Sequence, residues 1–452
     1  MKTINPATAE SLAEYEMLSP QEVQQRLEQS HTAYETWKTT TFATRSALLQ
    51  RIADRLESRV SELARLMTLE MGKPISQAES EVQKCTRVCR HYADHAERYL
   101  TPESISTEHA ESYVRFDPLG PILAIMPWNF PYWQVFRHIA PAVMAGNTVV
   151  LKHASSVFGV ARKIEELCAD PKTPDGLVTN LMIEAKTVES VIEHDVIQAV
   201  TLTGSEKAGA IVAAQAGKAL KKVVLELGGS DPFIVLADAD LSAAVEWAVK
   251  ARTQNTGQSC IAAKRFLVDQ RIADEFAERM VAETRKLSIG DPLDPKTDIG
   301  PLCREDLRDE LHEQVRASIE AGAELRLGGE PIDRAGFFYA PTILTNVRPG
   351  MPVFDEETFG PVAAITKVAN ADEAVELANR SRYGLGGSVF TRNLEQAKSI
   401  AGQLECGTVA INGMVASDPR LPFGGIKQSG FGRELGQWGI REFVNVKTVT
   451  VE

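Results

Sequence analysis

Long apolar runs, clustered cysteines and blocks of one charge are all scarce in this sequence, and each shortage excludes a class of protein. No uninterrupted apolar stretch reaches the ~18 residues that a membrane-crossing helix requires. The opening Met1-Lys2-Thr3-Ile4-Asn5-Pro6 lacks the cationic-then-apolar pattern of a secretory signal. Six cysteines in 452 residues are too few for a disulfide scaffold. The chain is therefore expected to be soluble and cytoplasmic, with each thiol needing its own explanation. Cys85 and Cys89 stand four residues apart, as on one helix face, but no His or further Cys completes a zinc set, and no metal is expected. Asp and Glu (61) outnumber Lys and Arg (49), for a net charge of −12 with no basic block of five or more. Such a chain repels phosphate backbones, so neither nucleic acid nor membrane is an expected partner. The usual dinucleotide fingerprint, Gly-x-Gly-x-x-Gly after an early strand, is missing as well.

What is present is a globular composition, 44% hydrophobic, long enough for two or three domains with sizeable cores. In the first hundred residues Leu48, Leu49, Ile52, Leu56, Val60, Leu63 and Leu66 recur at threes and fours, the period of amphipathic packing helices. Gly72-Lys73-Pro74 interrupts them, and a further polar helix is predicted from Glu79 to Leu100. From Gly120 onward short β-rich runs (122–126, 148–151, 177–183, 199–202, 223–227) alternate with helical stretches (157–168, 188–194, 207–220). Helices of this length cross over and return the chain parallel to the preceding strand, which predicts a parallel sheet covered by helices. After Pro232 a second α/β set follows, with strands at 264–269, 362–368, 387–391 and 408–412 among helices at 241–253, 273–287, 305–320, 371–380 and 393–404. The fold class is thus α/β, with two doubly wound open sheets. Ala110 to Phe116 and Glu442 to Val451 alternate apolar and polar positions as strands do, and could pair with each other across a subunit boundary.

Several polar residues stand out against this frame. Thr203-Gly204-Ser205 ends a predicted strand and opens a helix, where free amides and the helix dipole could receive a phosphate; an ordinary Ser205 cap explains the same spacing. Asn255-Thr256-Gly257-Gln258-Ser259-Cys260 puts a cysteine in a turn just after a helix, either as a packing thiol or as a nucleophile without a neighbouring His. Glu226 interrupts an apolar strand that ends in two glycines. If buried, its raised pKa makes it a usable general base; otherwise it faces solvent. Lys152, at the end of Val149-Val150-Leu151, is either a similar inward group or a snorkelling surface lysine. Pro127-Trp128-Asn129-Phe130-Pro131 fixes an amide between prolines and aromatic rings, as an oxyanion donor would be fixed, or simply as a rigid turn.

Together these stretches resemble the NAD(P)-dependent aldehyde dehydrogenase superfamily over nearly the whole chain. The resemblance is carried by Pro127 to Pro131, Thr203-Gly204-Ser205, Leu225-Glu226-Leu227-Gly228-Gly229, Gly257-Gln258-Ser259-Cys260, Glu357-Thr358-Phe359-Gly360-Pro361 and Pro422 to Gly430, all in this order. It implies a Rossmann-like cofactor domain (1–103 with 119–227), a catalytic domain (228–428) and a small β oligomerisation element (104–118 with 429–452), in a homodimer or homotetramer. It also implies covalent catalysis by Cys260, with Asn129 holding the oxyanion and Glu226 activating the hydrolytic water. Trp128, Lys152, Ser155, Gly204, Ser205, Leu227, Glu357 and Phe359 would hold the cofactor.

Within the superfamily, Glu70-Met71-Gly72-Lys73-Pro74 and Lys427-Gln428-Ser429-Gly430 look like the succinate-semialdehyde dehydrogenase branch. Arg137, eight residues after Asn129, matches that branch's arginine for the distal carboxylate; a helix-surface arginine is the alternative. The branch's second arginine is Gln254 here, so Ser417 and Gln254, or Arg420, would complete the substrate site, and a broad-specificity aliphatic or aromatic aldehyde dehydrogenase is the alternative function. Ser155 stands where NAD-preferring members carry Glu; without that carboxylate to repel a 2′-phosphate, NADP is the expected cofactor and NAD the second choice. Ala262 occupies the position of a second cysteine that forms a redox-sensing disulfide in some relatives, so no such switch is expected.

Overall fold

The computed structural model describes residues 1–452. Its first sheet runs, from one edge, Gly430–Phe431, Lys222–Glu226, Ala199–Thr203, Pro121–Met126, Thr148–His153 and Val178–Asn180. Every pairing is parallel except the one made by Gly430–Phe431. The strands are buried on both faces, which is why they read as continuous apolar runs. The second sheet is ordered Glu324–Leu327, Thr342–Thr345, Val362–Val368, Ala263–Asp269, Asp231–Val235, Gly386–Phe390 and Thr408–Ile411, again parallel apart from its first strand. No helix is long and apolar enough to cross a membrane.

Helices Phe42–Ser58, Val60–Met71 and Ile75–Tyr99 pack with Trp133–Ala145 over one face of the first sheet, in a core of 46 buried residues. Of the periodic residues, Leu48, Leu49, Ile52, Leu56 and Leu63 are fully buried, while Val60 and Leu66 lie at the margin. Cys85 and Cys89 are buried in the same core. The break at Gly72 is a left-handed cap (φ 80°) ending the Val60–Met71 helix.

Glu111–Pro118 and Val444–Val451 do pair, with Val444 opposite Pro118 and Val451 opposite Glu111, and Glu103–Ser104 adds a short third strand. The pairing lies within one chain, not across a subunit boundary. The chain returns through Ser429–Glu434, whose backbone joins the first sheet, and this brings the two segments side by side.

Candidate active site

Asn129 sits between the end of strand Pro121–Met126 and the start of helix Trp133–Ala145. That helix has no N-cap side chain of its own; Glu81 supplies one from the neighbouring helix, accepting the Tyr132 and Trp133 amides at 3.0 Å each. The other Glu81 oxygen pairs with buried Lys73, whose ammonium stands 3.8 Å over the Phe130 ring. Glu70 similarly accepts the Gly159 and Val160 amides at 2.9 and 3.0 Å, so Glu70-Met71-Gly72-Lys73-Pro74 braces two helix starts. Asn129 itself is buried. Its Oδ1 accepts from Gln134 Nε2 at 3.0 Å and its Nδ2 donates to Gln258 O at 3.1 Å, which turns the NH2 toward the cysteine loop.

That loop leaves helix Leu241–Thr253 through two non-glycine residues in left-handed conformation, Asn255 (φ 55°, ψ 37°) and Thr256 (φ 55°, ψ 29°), followed by Gly257 (φ 76°). Each non-glycine costs about 1–2 kcal/mol, and persists because its surroundings impose it. Asn255 Nδ2 donates to Asn129 O (2.8 Å) and Gln258 O (3.0 Å); buried Arg252 clasps Gly257 O (2.7 Å) and Ala263 O (3.0 Å); Lys264 Nζ donates to Ser259 O and Cys260 O, both at 2.9 Å. A Cβ on Gly257 would come within 2.3 Å of Gly360 O. Gly257→Ala is therefore expected to displace the loop and lower kcat/KM at least about tenfold, with cofactor affinity retained by fluorescence titration. An unchanged kcat/KM would show the loop geometry to be dispensable.

Cys260, partly exposed, lines a cleft of about 390 Å³ with Trp128, Asn129, Gly204, Ser205, Leu227, Glu357 and Phe359. Burial pushes its thiol up to about 12, with Arg137 and then Lys264 pulling it back. Ser205 caps helix Glu206–Lys218, accepting the Ala208 amide at 3.3 Å, and still faces the cleft; Gly209 lets that helix lie against Leu227. Glu357 accepts the Gly229 amide at 2.9 Å with Lys264 Nζ 3.5 Å away, and Phe359 meets Trp128 edge to face at 5.7 Å. Lys152 and Ser155 lie outside this cavity. Lys152 is half-buried with no ion-pair or hydrogen-bond partner, and burial alone lowers its pKa; Ser155 opens the short helix Ser155–Val157 that follows the same strand.

Glu226, at the end of its strand, is 2% exposed and neither carboxylate oxygen has a hydrogen-bond partner. Burial first, and then the charge of Glu434, raise its pKa well above the ordinary value. Arg137 Nε approaches Glu434 Oε2 to 2.5 Å, but without alignment along the N–H, so the attraction is coulombic; Arg137 Nη2 donates to Thr203 Oγ1 at 3.1 Å. The guanidinium is buried, with its charge already met.

A second cavity, of about 550 Å³, is lined by Phe130, Trp133, Gln254, Lys84 and Arg87 among others. Ser417 adjoins it through a 2.7 Å bond from Lys84 Nζ, whereas Arg420 points to Asp418 (2.7 and 2.8 Å) and is exposed. Arg252, Lys264, Glu434 and Lys84 have no signal in the sequence beyond their charge; a buried Arg or Lys is recognisable only once its carbonyl partners are in place.

Two parallel-sheet lobes with a thiol, an amide and a desolvated carboxylate beside a cleft are the architecture of a nucleotide-dependent oxidoreductase that works through a cysteine adduct. The chain belongs to the Aldehyde dehydrogenase family, whose profile matches residues 1–449. It is 51% identical over 449 residues to a probable succinate-semialdehyde dehydrogenase [NADP(+)] of Synechocystis sp., covering 99% of each chain. It is 48% identical to a succinate semialdehyde dehydrogenase [NAD(P)+] of Escherichia coli, covering 99% of this chain and 97% of that one. Among solved structures, the succinic semialdehyde dehydrogenase of Streptococcus pyogenes in complex with NADP+ superposes with a TM-score of 0.97 at 40% identity, over 100% of this chain and 99% of that one. The expected fold class, family and enzyme class therefore hold.

Proposed function

We propose that the protein oxidises succinate semialdehyde to succinate with NADP, NAD serving less well. The single observation that carries this is that Cys260 and Asn129 line one cleft, with the unpartnered Glu226 carboxylate one residue before Leu227 of its wall and close enough for its charge to act on the Cys260 thiol. The Cys260 sulfur bonds to the aldehyde carbon, and its proton leaves to water. The resulting oxyanion accepts hydrogen bonds from the free hydrogen of Asn129 Nδ2 and from the Cys260 amide, donors already oriented before the reaction. Bound NADP supplies the hydride acceptor. Collapse of the oxyanion to a carbonyl breaks the C–H bond with loss of hydride and leaves a thioester. Glu226 then takes a proton from water, the hydroxide adds to the thioester carbon, and the C–S bond breaks to release succinate and the Cys260 thiolate.

The residues present fit the dinucleotide. The unpaired Lys152 ammonium and Glu357 suit ribose hydroxyls, the start of the Glu206–Lys218 helix at Gly204 and Ser205 suits the diphosphate, and Trp128, Leu227 and Phe359 wall the cleft. Ser155 sets no carboxylate against a 2′-phosphate. Ser155→Glu is expected to cut kcat/KM with NADP by roughly 10- to 100-fold through like-charge repulsion while NAD is nearly unaffected; a parent enzyme that already prefers NAD would overturn the cofactor assignment. Gln254 lines and Ser417 adjoins the second cavity, on the expected path of the substrate's distal carboxylate.

We assign residues 1–103 and 119–227 to cofactor binding, 228–428 to catalysis, and 104–118 with 429–452 to self-association. Exposed Phe431, Trp438 and Val446 support a homodimer or homotetramer, and six unpaired cysteines support a cytoplasmic setting. Rates of NADPH formation across semialdehydes and simple aldehydes test the substrate. A marked preference for the carboxylated aldehyde is expected, and equal rates would favour the broad-specificity reading.

A further inference from the structure

We propose that the Lys84 ammonium binds the distal carboxylate of the aldehyde substrate and thereby sets specificity. This rests on the reading above that the substrate carries such a carboxylate. Lys84 lies on helix Ile75–Tyr99 and lines the second cavity with Phe130, Trp133 and Gln254. Phe130 follows the oxyanion donor Asn129, and Gln254 opens the loop that delivers Cys260, so the wall of this cavity is built in part from the two segments that carry the reacting groups, while it shares no lining residue with the cofactor cleft.

Lys84 has no acidic partner. Glu81, one turn away, is consumed by Lys73 and two backbone amides. Glu246 and Asp298 line the same cavity without pairing to Lys84. Its ammonium donates to Ser417 Oγ at 2.7 Å and stands 4.0 Å over the Trp133 ring. An ammonium has three donors, so the serine leaves capacity for a carboxylate. Ser417 then becomes the group that aims Lys84. The other cations here are less suited: Arg137 is neutralised by Glu434, while Arg87 and Lys250 are exposed at the rim. Burial, followed by the charge of Arg137, lowers Lys84 to about 8, so an incoming carboxylate restores the stabilisation that its charge has lost.

The test is steady-state kinetics of the full-length enzyme and its Lys84→Met and Lys84→Arg variants, with succinate semialdehyde and with butanal, an aldehyde of equal length without the carboxylate. Lys84→Met is expected to raise KM for succinate semialdehyde roughly 10- to 100-fold, the loss of one charge-assisted hydrogen bond. Its kcat should stay within a few-fold and its kinetics with butanal should not change; Lys84→Arg should recover most of the loss. If the parent enzyme prefers succinate semialdehyde yet Lys84→Met impairs both substrates alike, or neither, the assignment to Lys84 is wrong while the proposed function stands. If the parent shows no preference for the carboxylated aldehyde, the proposed substrate fails and this role fails with it.

Discussion

Cys260→Ala is expected to abolish aldehyde-dependent NADPH formation, lowering kcat at least about 10⁴-fold. Every covalent step needs the sulfur, first as the attacking atom and then as the leaving group, and none of the other five cysteines stands in the cleft. The variant should still bind NADP as the parent does, because the dinucleotide contacts assigned above come from other residues. Titration of cofactor binding by tryptophan quenching, with Trp128 in the cleft wall, measures that directly. Turnover within tenfold of the parent would exclude a thiohemiacetal route. The resting thiol is protonated at neutral pH, held up to about 12 by burial. Rates of inactivation by a thiol alkylating agent should therefore be slow in the free enzyme and rise with pH.

Glu226→Gln should divide the reaction in two. A single equivalent of NADPH per site is expected in a rapid burst, followed by a steady state slowed by roughly 10²–10⁴-fold, since the thioester forms without a base but is not hydrolysed. Loss of the burst itself would instead place Glu226 in the first half of the reaction. In the parent, hydrolysis should accelerate as pH rises through the elevated pKa of the Glu226 and Glu434 pair, an arm absent from the variant. The stability consequence has the opposite sign. A carboxyl whose folded pKa is raised favours the folded state only at low pH, and that advantage is lost as pH rises through the folded value. At neutral pH Glu226 thus burdens the fold, and the Gln variant should resist heating better than the parent, with the difference fading in acid.

The two sheets were legible because strands buried on both faces produce uninterrupted apolar runs separated by helical periods. Two central elements were not. Helix Trp133–Ala145 is buried at every position, so it shows no amphipathic period, and Pro141 within it argues against a helix. Strand Asp231–Val235 follows Gly228-Gly229-Ser230 and contains Pro232, punctuation that hides an interior strand of its sheet. In the site, Cys260, Asn129 and Glu226 stood out because each is a polar residue in an incongruous local setting. Arg252 and Lys264 did not, since their role is to bind main-chain carbonyls of segments that only the fold brings near. Arg137 was marked by the resemblance to the succinate-semialdehyde dehydrogenase branch alone, and its pairing with Glu434 depends on a segment nearly three hundred positions later.

The strand that carries Glu226 is finished by a distant part of the polypeptide. Leu227 donates its amide to Ser429 O at 3.0 Å, Ser429 Oγ donates to Gly228 O across 201 positions, and the charge of Glu434 adds to burial in raising the pKa of the base. Asn129, Glu226 and Cys260 are thus all synthesised before the segment that completes the Glu226 strand, and the strand that bears the base takes its final place only once that late segment has docked.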